Sequence, residues 1–352
     1  MVVDYLIIGQ GISGTMLSWY LYREGKTFLV IDLEAVDTPS RVAAGIINPV
    51  TGRRYVTTWM IEEVMPFSIS AYTTIGNFLG HDLVQNKNII DFFPSTQMRE
   101  AFIERIDEDD QYLNAFPDQN HFNQYFNYDF GCGEISPCFS IDLQTLLYEW
   151  NKKLVEMNSF RQAEFKPGDL TFTADQVQYE DITAQKIIFC NGTGTMDLPA
   201  FQLLPFAPNK GETLLIECKD LKNQFIFKRS MVVAPTPEKD IFWVGSSYAW
   251  EFDHAHPTEQ FLKNTKTLLD HWIKLPYKIL SHKASVRPAT LERRPFIGFH
   301  PNYPALGILN GMGSKGASLA PFFAHQLVQH IVHSLPITDE ANVNRFSRIL
   351  SK

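Results

Sequence analysis

The chain has 352 residues, of which 45% are hydrophobic and 20% are charged, and its formal net charge at pH 7 is −8. This is the composition of a globular protein with ample length for one large or two interwoven domains. The acidic balance and the lack of a dense Lys/Arg run disfavour double-stranded nucleic acid as the main partner.

Targeting and redox signals are also weak. No run reaches the roughly 18 apolar residues that span a bilayer, and a strand-like run begins beside Met1, which leaves no room for a secretory signal. We therefore expect a cytoplasmic protein. Its four cysteines lack C-x-x-C spacing, which argues against a zinc site or a redox pair and favours reduced thiols: Cys132, Cys138, Cys190 and Cys218.

The first 32 residues have the pattern of a dinucleotide-binding βαβ unit. The apolar run Tyr5–Ile8 predicts a buried parallel strand, followed by Gly9, Gly11 and Gly14. In such a turn the first glycine allows the bend, the second admits a pyrophosphate and the third lets the next helix pack closely. The helix N-terminus then offers N–H groups and a partial positive charge to phosphate.

The second strand of this unit carries the residue expected to bind ribose. It is predicted at Thr27–Ile31 and ends in Asp32, whose carboxylate would accept hydrogen bonds from ribose hydroxyls. Gly25 is placed to end the intervening helix. An acid at this position disfavours the 2′-phosphate of NADP, but the fingerprint alone does not distinguish NAD from FAD.

The middle of the chain predicts further elements in order. Residues 61–79, 97–106 and 141–157 look helical, the last with Asp142 as its N-cap, whereas 88–93 looks like a strand and 112–130 like a loop with a short strand. A strand at 186–190 then leads into a second glycine turn, 191–194. If this strand lies beside the first, Gly192 and Gly194 would approach the same nucleotide; the alternative is a simple tight turn.

The last third of the chain is first rich in strand-like segments and then contains a third glycine turn. Between 210 and 284 the alternation is strand-like, notably at 213–217 and 241–245, with one helix at 258–275. A strand at 306–309 precedes Gly311, Gly313 and Gly316, and a helix runs to about residue 334. The β-rich block suggests a substrate domain inserted into the nucleotide domain.

Taken together and in this order, the motifs resemble the D-amino-acid oxidase superfamily of FAD-dependent oxidoreductases, in its glycine oxidase and sarcosine oxidase branch. The last motif also resembles the flavin domain of the bacterial enzyme that trims carboxymethyl-aminomethyl groups on the wobble uridine of tRNA. The matching segments span nearly the whole chain: Gly9/Gly11/Gly14…Asp32, Ala43-Ala44-Gly45…Pro49, Asn191-Gly192-Thr193-Gly194, Lys210-Gly211-Glu212, Val244-Gly245-Ser246-Ser247, Arg287-Pro288-Ala289-Thr290, and Gly311-Met312-Gly313-Ser314-Lys315-Gly316…Ala320-Pro321.

The resemblance implies an α/β fold, α+β overall, with a Rossmann-like FAD-binding domain of discontinuous segments and a β-sheet-rich substrate domain. The boundaries are predicted at 1–58, 139–205 and 287–352 for the first, and 59–138 and 206–286 for the second. No His or Cys stands where covalent attachment would be expected, so FAD should bind non-covalently. Its predicted contacts are Gly9, Gly11, Ile12, Ser13, Gly14, Asp32, Leu33, Arg41, Ala43, Ala44, Gly45, Ile46, Asn191, Gly192, Gly194, Gly311, Gly313, Ser314, Lys315 and Gly316.

The chemistry implied is oxidation of a C–N bond in an amino acid or related amine. A hydride would pass to flavin N5, and the imine would hydrolyse to an oxoacid, with H2O2 formed where O2 is the acceptor. Two alternatives stay open: a dehydrogenase of the same fold with a quinone or protein acceptor, and tRNA side-chain trimming. A flavin- or NAD-binding protein without turnover is a further alternative, and the oligomeric state stays open.

Three side chains are predicted to act on the substrate. Arg287 offers a bidentate fork for a carboxylate, although a structural salt bridge would also explain it. Lys315 stands where some relatives carry a second arginine, and Tyr248 could donate to the substrate; a solvated lysine and a packing tyrosine are the alternatives. Two departures from the family pattern are Glu292, where Asp is usual, and Glu212, where Gln is frequent.

Overall fold

The computed structural model describes residues 1–108 and 111–351. The helices are α1 (Ile12–Arg23), α2 (Pro39–Val42), α3 (Ile61–Leu79), α4 (Thr96–Asp107), α5 (Leu143–Glu156), α6 (Glu259–Trp272), α7 (Gly316–His333) and α8 (Ser347–Leu350). The strands are β1 (Val2–Ile8), β2 (Phe28–Asp32), β3 (Ile46–Ile47), β4 (Val50–Thr51), β5 (Val56–Thr57), β6 (Val84–Asn86), β7 (Ile89–Phe92), β8 (Leu113–Ala115), β9 (Cys132–Ile135), β10 (Phe139–Ile141), β11 (Phe160–Gln162), β12 (Leu170–Phe172), β13 (Val177–Tyr179), β14 (Ile182–Phe189), β15 (Asn209–Glu217), β16 (Ile226–Lys228), β17 (Val232–Pro235), β18 (Ile241–Gly245), β19 (Lys278–Arg287), β20 (Phe296–Phe299) and β21 (Leu306–Asn310).

The first large sheet contains the predicted βαβ unit, for which we name it the nucleotide-binding sheet, and is mostly parallel at its centre. Its strand order is β11-β2-β1-β14-β13-β12, with β21 added beside β14 and β20 beside β21. β1 is parallel to both β2 and β14, and β14 is parallel to β21. The turns that follow β1, β14 and β21 therefore leave the sheet at the same edge, where α/β proteins bind nucleotides.

The second large sheet has the order β19-β15-β18-β17-β16-β7-β9-β8, and we name it the substrate-side sheet because it holds most of the block predicted to form the substrate domain. Most of its neighbouring strands are antiparallel, and the helix α6 packs behind it through Leu269 and Trp272, which join a cluster with Phe92 and Phe126. Its longest strands, β15 and β19, are paired along nearly their whole length. The fold is thus the mixed α/β arrangement that the sequence predicts.

The helix α3 lies on the nucleotide side of the molecule, although the boundary predicted at residues 58/59 assigned it to the substrate domain. Its Ser68 hydroxyl donates to the Ser318 carbonyl at 2.6 Å, and its Tyr72 hydroxyl donates to the Ala317 carbonyl at 2.7 Å. Both acceptors lie in the first turn of α7. An apolar helical face can be predicted from spacing alone, whereas the layer that it packs against depends on tertiary structure.

Most predicted elements are found. Asp142 caps α5, as predicted, by accepting from the Thr145 N–H at 3.0 Å, and the structure adds Thr258 as the N-cap of α6. The predicted loop at 112–130 contains only the short strand β8. All four cysteines are buried free thiols. Among the described residues, no helix combines the length and apolarity needed to cross a membrane.

Candidate active site

Three glycine turns lie side by side at one edge of the nucleotide-binding sheet. A Cβ on Gly9 would stand 2.8 Å from the Cα of Asn191, so the first and second turns are in contact. The Asn310 side-chain amide donates to the Gly192 carbonyl at 2.8 Å, which joins the third turn to the second. Gly192 and Gly194 are therefore close to the first turn, as expected if the strand before them lies beside the first strand.

These turns open onto a cavity of about 1240 Å³ between the two sheets. That volume exceeds the ~300–1,000 Å³ of typical small-molecule pockets, as a dinucleotide and a substrate together would require. Of the predicted cofactor contacts, sixteen line it: Gly9, Gly11, Ile12, Ser13, Asp32, Leu33, Ala43, Ala44, Gly45, Ile46, Asn191, Gly192, Gly194, Gly313, Ser314 and Gly316.

The first turn presents main-chain donors to the cavity. The Ile12 N–H donates to the Ser40 hydroxyl at 3.0 Å, and the Thr15 N–H to the Gly11 carbonyl at 2.9 Å. This leaves the N–H groups of Ser13 and Gly14 without a partner in the part of the chain that the structure describes. A helix start with free N–H groups is an anion-binding site.

The Asp32 carboxylate is held by two main-chain donors. Its Oδ2 accepts the Gln10 N–H and its Oδ1 accepts the Glu34 N–H, both at 2.6 Å. Each carboxylate oxygen can accept a second hydrogen bond, and Asp32 lines the cavity. The carboxylate is therefore oriented by the main chain and can still receive two ribose hydroxyls.

Four predicted cofactor residues do not line the cavity, for different reasons. Gly14 serves helix packing, because a Cβ there would stand 1.8 Å from the Gly9 carbonyl oxygen. Gly311 is packed against Thr290, with a Cβ-to-methyl distance of 2.8 Å. Arg41 and Lys315 extend from elements at the cavity edge, and neither is part of its lining.

Arg287 lies at the opposite wall, at the end of β19. Its Nη1 donates to Asn209 Oδ1 at 2.7 Å, its Nη2 donates to the Ser246 hydroxyl at 2.7 Å, and both reach the Ser247 carbonyl at 3.2 and 3.3 Å. Burial lowers the pKa of this guanidinium, which still stays charged at neutral pH. Among the described residues no carboxylate lies within salt-bridge distance of it, so the structural salt bridge considered from the sequence is not formed.

Gly211 makes room for this arginine. A Cβ at Gly211 would stand 1.9 Å from Arg287 Nη2. On the other side, the Tyr248 ring lies 4.7 Å from the guanidinium carbon, within the range of a cation–π contact. Tyr248 lines the cavity and is 61% exposed, so it is available to a ligand that reaches Arg287.

Lys315 points elsewhere. Its ammonium donates to the Thr58 hydroxyl at 2.9 Å, and burial together with Arg293 and Arg294 lowers its pKa to about 8. It shares no cavity surface with Arg287. The structure thus brings Arg287 and Tyr248 together at the cavity and places Lys315 apart from them.

Trp243 is a wall residue that no sequence motif identifies. It lines the cavity from β18, and its indole N–H donates to the Val42 carbonyl at 2.9 Å. Val42 immediately precedes the loop 43–46, so this hydrogen bond joins the substrate-side sheet to the predicted flavin loop. Only the alternation along β18 could have placed it on the inner face.

The residues present fit FAD. Free N–H groups for phosphate, an oriented carboxylate for ribose and a glycine loop for a flat ring all face one cavity. Gly45 is packed so tightly that a Cβ would lie 2.0 Å from the Ile141 carbonyl oxygen. Gly45 therefore holds its loop against β10 where a larger residue would displace it.

Comparison with known proteins agrees with this reading. Residues 161–330 match the family model described as FAD dependent oxidoreductase. The fold is similar to that of iminodiacetate oxidase from Chelativorans sp. BNC1 (TM-score 0.77, 17% identity, 96% of this chain and 98% of that one covered). It is also similar to glycine oxidase from Geobacillus kaustophilus (TM-score 0.77, 14% identity, 96% of each chain) and L-proline dehydrogenase from P. horikoshii (TM-score 0.74, 13% identity, 98% of each chain).

Residues 161–330 thus match a family of FAD-dependent oxidoreductases, and the chain as a whole has the fold of the oxidases and the dehydrogenase to which it is similar.

Proposed function

We propose that the enzyme oxidises the C–N bond of a small amine or amino acid that carries a carboxylate, with non-covalently bound FAD. The observation that carries this proposal is Arg287, a charged and partly buried guanidinium at the cavity wall whose partners are all neutral. A buried charge without a counter-ion is costly. A carboxylate ligand would supply the missing charge in the bidentate geometry that arginine favours.

The roles of the remaining residues follow from their positions. Bound FAD would supply a two-electron acceptor for the C–N oxidation. The turns at Gly9–Gly14 and 191–194 would hold its phosphates, Asp32 its adenine-side ribose, and the loop 43–46 together with Gly313 its ring. Arg287 would fix the substrate carboxylate, Tyr248 would cover the guanidinium, and Trp243 would limit the length of the substrate.

The similar structures support an amine substrate by analogy. Iminodiacetate oxidase and glycine oxidase are named for small substrates that carry both an amine and a carboxylate. A cavity with one uncompensated arginine is suited to this class. The electron acceptor is a separate question, since an L-proline dehydrogenase has a similar fold as well.

An anaerobic titration tests the proposal. Purified yellow holoenzyme is mixed with primary and secondary amino acids, and the loss of oxidised-flavin absorbance is recorded. We expect saturable bleaching by at least one of them. Bleaching by none across a complete panel would contradict the proposal, and the rate of reoxidation in air would separate an oxidase from a dehydrogenase.

A further inference from the structure

The segment 246–258 forms the seat of Arg287. It leaves β18 at Gly245 and ends at Thr258, the N-cap of α6. Its first residues supply a hydroxyl, a carbonyl and an aromatic ring to the guanidinium, from Ser246, Ser247 and Tyr248 respectively. The position of Arg287 therefore depends on how this segment is held.

The beginning of the segment is held by hydrogen bonds to main-chain groups of β15. The Glu212 N–H donates to the Ser247 hydroxyl at 2.8 Å, and the Ser247 N–H donates to the Glu212 carbonyl at 3.3 Å. Two residues further, Lys210 and Ala249 exchange both main-chain hydrogen bonds, at 2.9 and 3.0 Å. The strand thus continues into the segment for a short distance.

The end of the segment is held by the side chains of the same two β15 residues. Glu212 accepts the Thr258 N–H at 2.6 Å and the Thr258 hydroxyl at 2.9 Å. The Lys210 ammonium donates to the His256 carbonyl at 2.6 Å and lies 3.4 Å from the Glu212 carboxylate. His282 on β19 adds a 3.0 Å contact to that carboxylate.

This ion pair is buried: Lys210 is 2% exposed and Glu212 is 5% exposed. Charges are rarely buried for stability alone, because desolvation offsets much of their attraction. Here their partners include main-chain groups of a segment that lacks regular structure between Ala249 and Thr258. Between the two charged residues lies Gly211, on the face of β15 that meets Arg287.

We propose that Lys210 and Glu212 are positioning residues whose side chains fasten the end of the segment 246–258, while the main chain of β15 holds its beginning, and that together they set the Arg287 guanidinium for its ligand. The proposal rests on the proposed function in so far as Arg287 binds the substrate carboxylate. It also assigns a role to Glu212, one of the two residues at which the chain departs from the family pattern that it resembles. Neither Lys210 nor Glu212 would touch the substrate.

The test compares Glu212→Gln with Glu217→Gln, a matched change on the same strand whose carboxylate is near Lys219 and away from the segment. Both holoproteins are digested with chymotrypsin, and cleavage after the exposed Tyr248 and Trp250 is followed by mass spectrometry. Loss of charge-assisted bonds should raise the open population of the segment, so cleavage in Glu212→Gln should accelerate about tenfold. Equal cleavage in the two variants would overturn the proposal.

A second readout follows Arg287 itself. Sodium acetate, a carboxylate with no C–N bond, is titrated into each holoprotein and the flavin absorbance change is recorded. We expect acetate to bind about tenfold more weakly to Glu212→Gln, with the FAD content unchanged. With a reactive substrate, KM should rise by a larger factor than that by which kcat falls. Unchanged acetate affinity and KM would contradict the positioning role.

The two readouts separate the two proposals. If acetate does not bind wild-type enzyme, the proposed function fails, while cleavage still decides whether the segment is fastened. If Glu212→Gln does not fold, Lys210→Met removes the ammonium while keeping most of the stem. Lys210→Met should also be cleaved faster than wild type. If it is cleaved at the wild-type rate, Lys210 does not fasten the segment.

Discussion

The two halves of the cavity are built from different parts of the chain. The nucleotide side consists mainly of main-chain turns at the ends of parallel strands, where a Cβ at Gly9 or Gly14 would clash with the neighbouring main chain. The substrate side consists of individual side chains, such as Arg287, Tyr248 and Trp243, that project from an antiparallel sheet. A site built from main-chain turns can be recognised in the sequence by the spacing of its glycines. A site built from side chains consists of single residues whose role can be recognised only once the fold is known.

The largest effect is expected on the nucleotide side. Gly14→Ala would place a methyl group 1.8 Å from the Gly9 carbonyl oxygen. Because both are main-chain positions, α1 must move away from β1, and we expect at least a hundredfold loss of FAD affinity. Absorbance of the purified protein and a titration with FAD measure this. Gly168→Ala, with nothing within 4 Å of its Cβ, should keep FAD binding, and normal affinity in Gly14→Ala would refute the packing argument.

The next effect is on the substrate side. Arg287→Lys keeps the charge but loses the planar fork and the contacts to Asn209 and Ser247. We expect about a hundredfold rise in KM for the amino acid that bleaches the enzyme, with FAD content unchanged. Arg161→Lys changes an arginine that is bidentate to Asp181 at the surface and should leave KM alone. An Arg287→Lys enzyme with wild-type KM would remove the basis for the proposed substrate class.

A smaller effect should follow from crowding the same arginine. In Gly211→Ala the new methyl would meet Arg287 Nη2, the end of a flexible side chain. The fold should therefore survive while the guanidinium shifts, raising KM about tenfold without loss of FAD. Gly168→Ala, where the added Cβ meets nothing within 4 Å, is the control. Identical kinetics in the two variants would show that the guanidinium has room to adjust.

The smallest effect concerns Lys315. Its pKa is lowered from 10.5 to about 8, so between these values the unfolded chain binds more protons than the folded one. Below pH 8 the buried ammonium should make wild type less stable than Lys315→Met by its full amount. As pH rises from 8 to 10.5, the free energy of unfolding of wild type should increase relative to that of Lys315→Met by up to about 3 kcal/mol. Urea unfolding of both proteins below and above the window measures the change. A stability difference independent of pH would contradict the lowered pKa.

The contrast between the halves also explains what the sequence could predict. Helix α3 is predicted at its observed bounds, 61–79, because its apolar face has a clear helical period. Asp142 is predicted as the cap of α5 because capping depends on local residues alone. Gly192 could be linked to Gly9 because parallel strands bring their turns to the same edge.

The substrate side could be predicted only in part. Arg287 was found through a family motif, but its partner Asn209 is 78 residues away and carries no local signal. The same holds for Trp243, whose indole N–H reaches Val42 across the cavity. Lys315 was selected because some relatives carry a second arginine at its position, and its direction toward Thr58 depends on packing that no spacing reveals.

The most direct test of the central claim is a matched pair of substrates. N-methylglycine and dimethylamine share a methylated secondary amine, and only the first has a carboxylate for Arg287. If the panel instead identifies another amino acid, that compound and its decarboxylated amine take their place. Anaerobic reduction of the holoenzyme should be at least a hundredfold more efficient with the carboxylate-bearing member. Equal reduction rates for the two members would show that the uncompensated charge of Arg287 does not select the substrate.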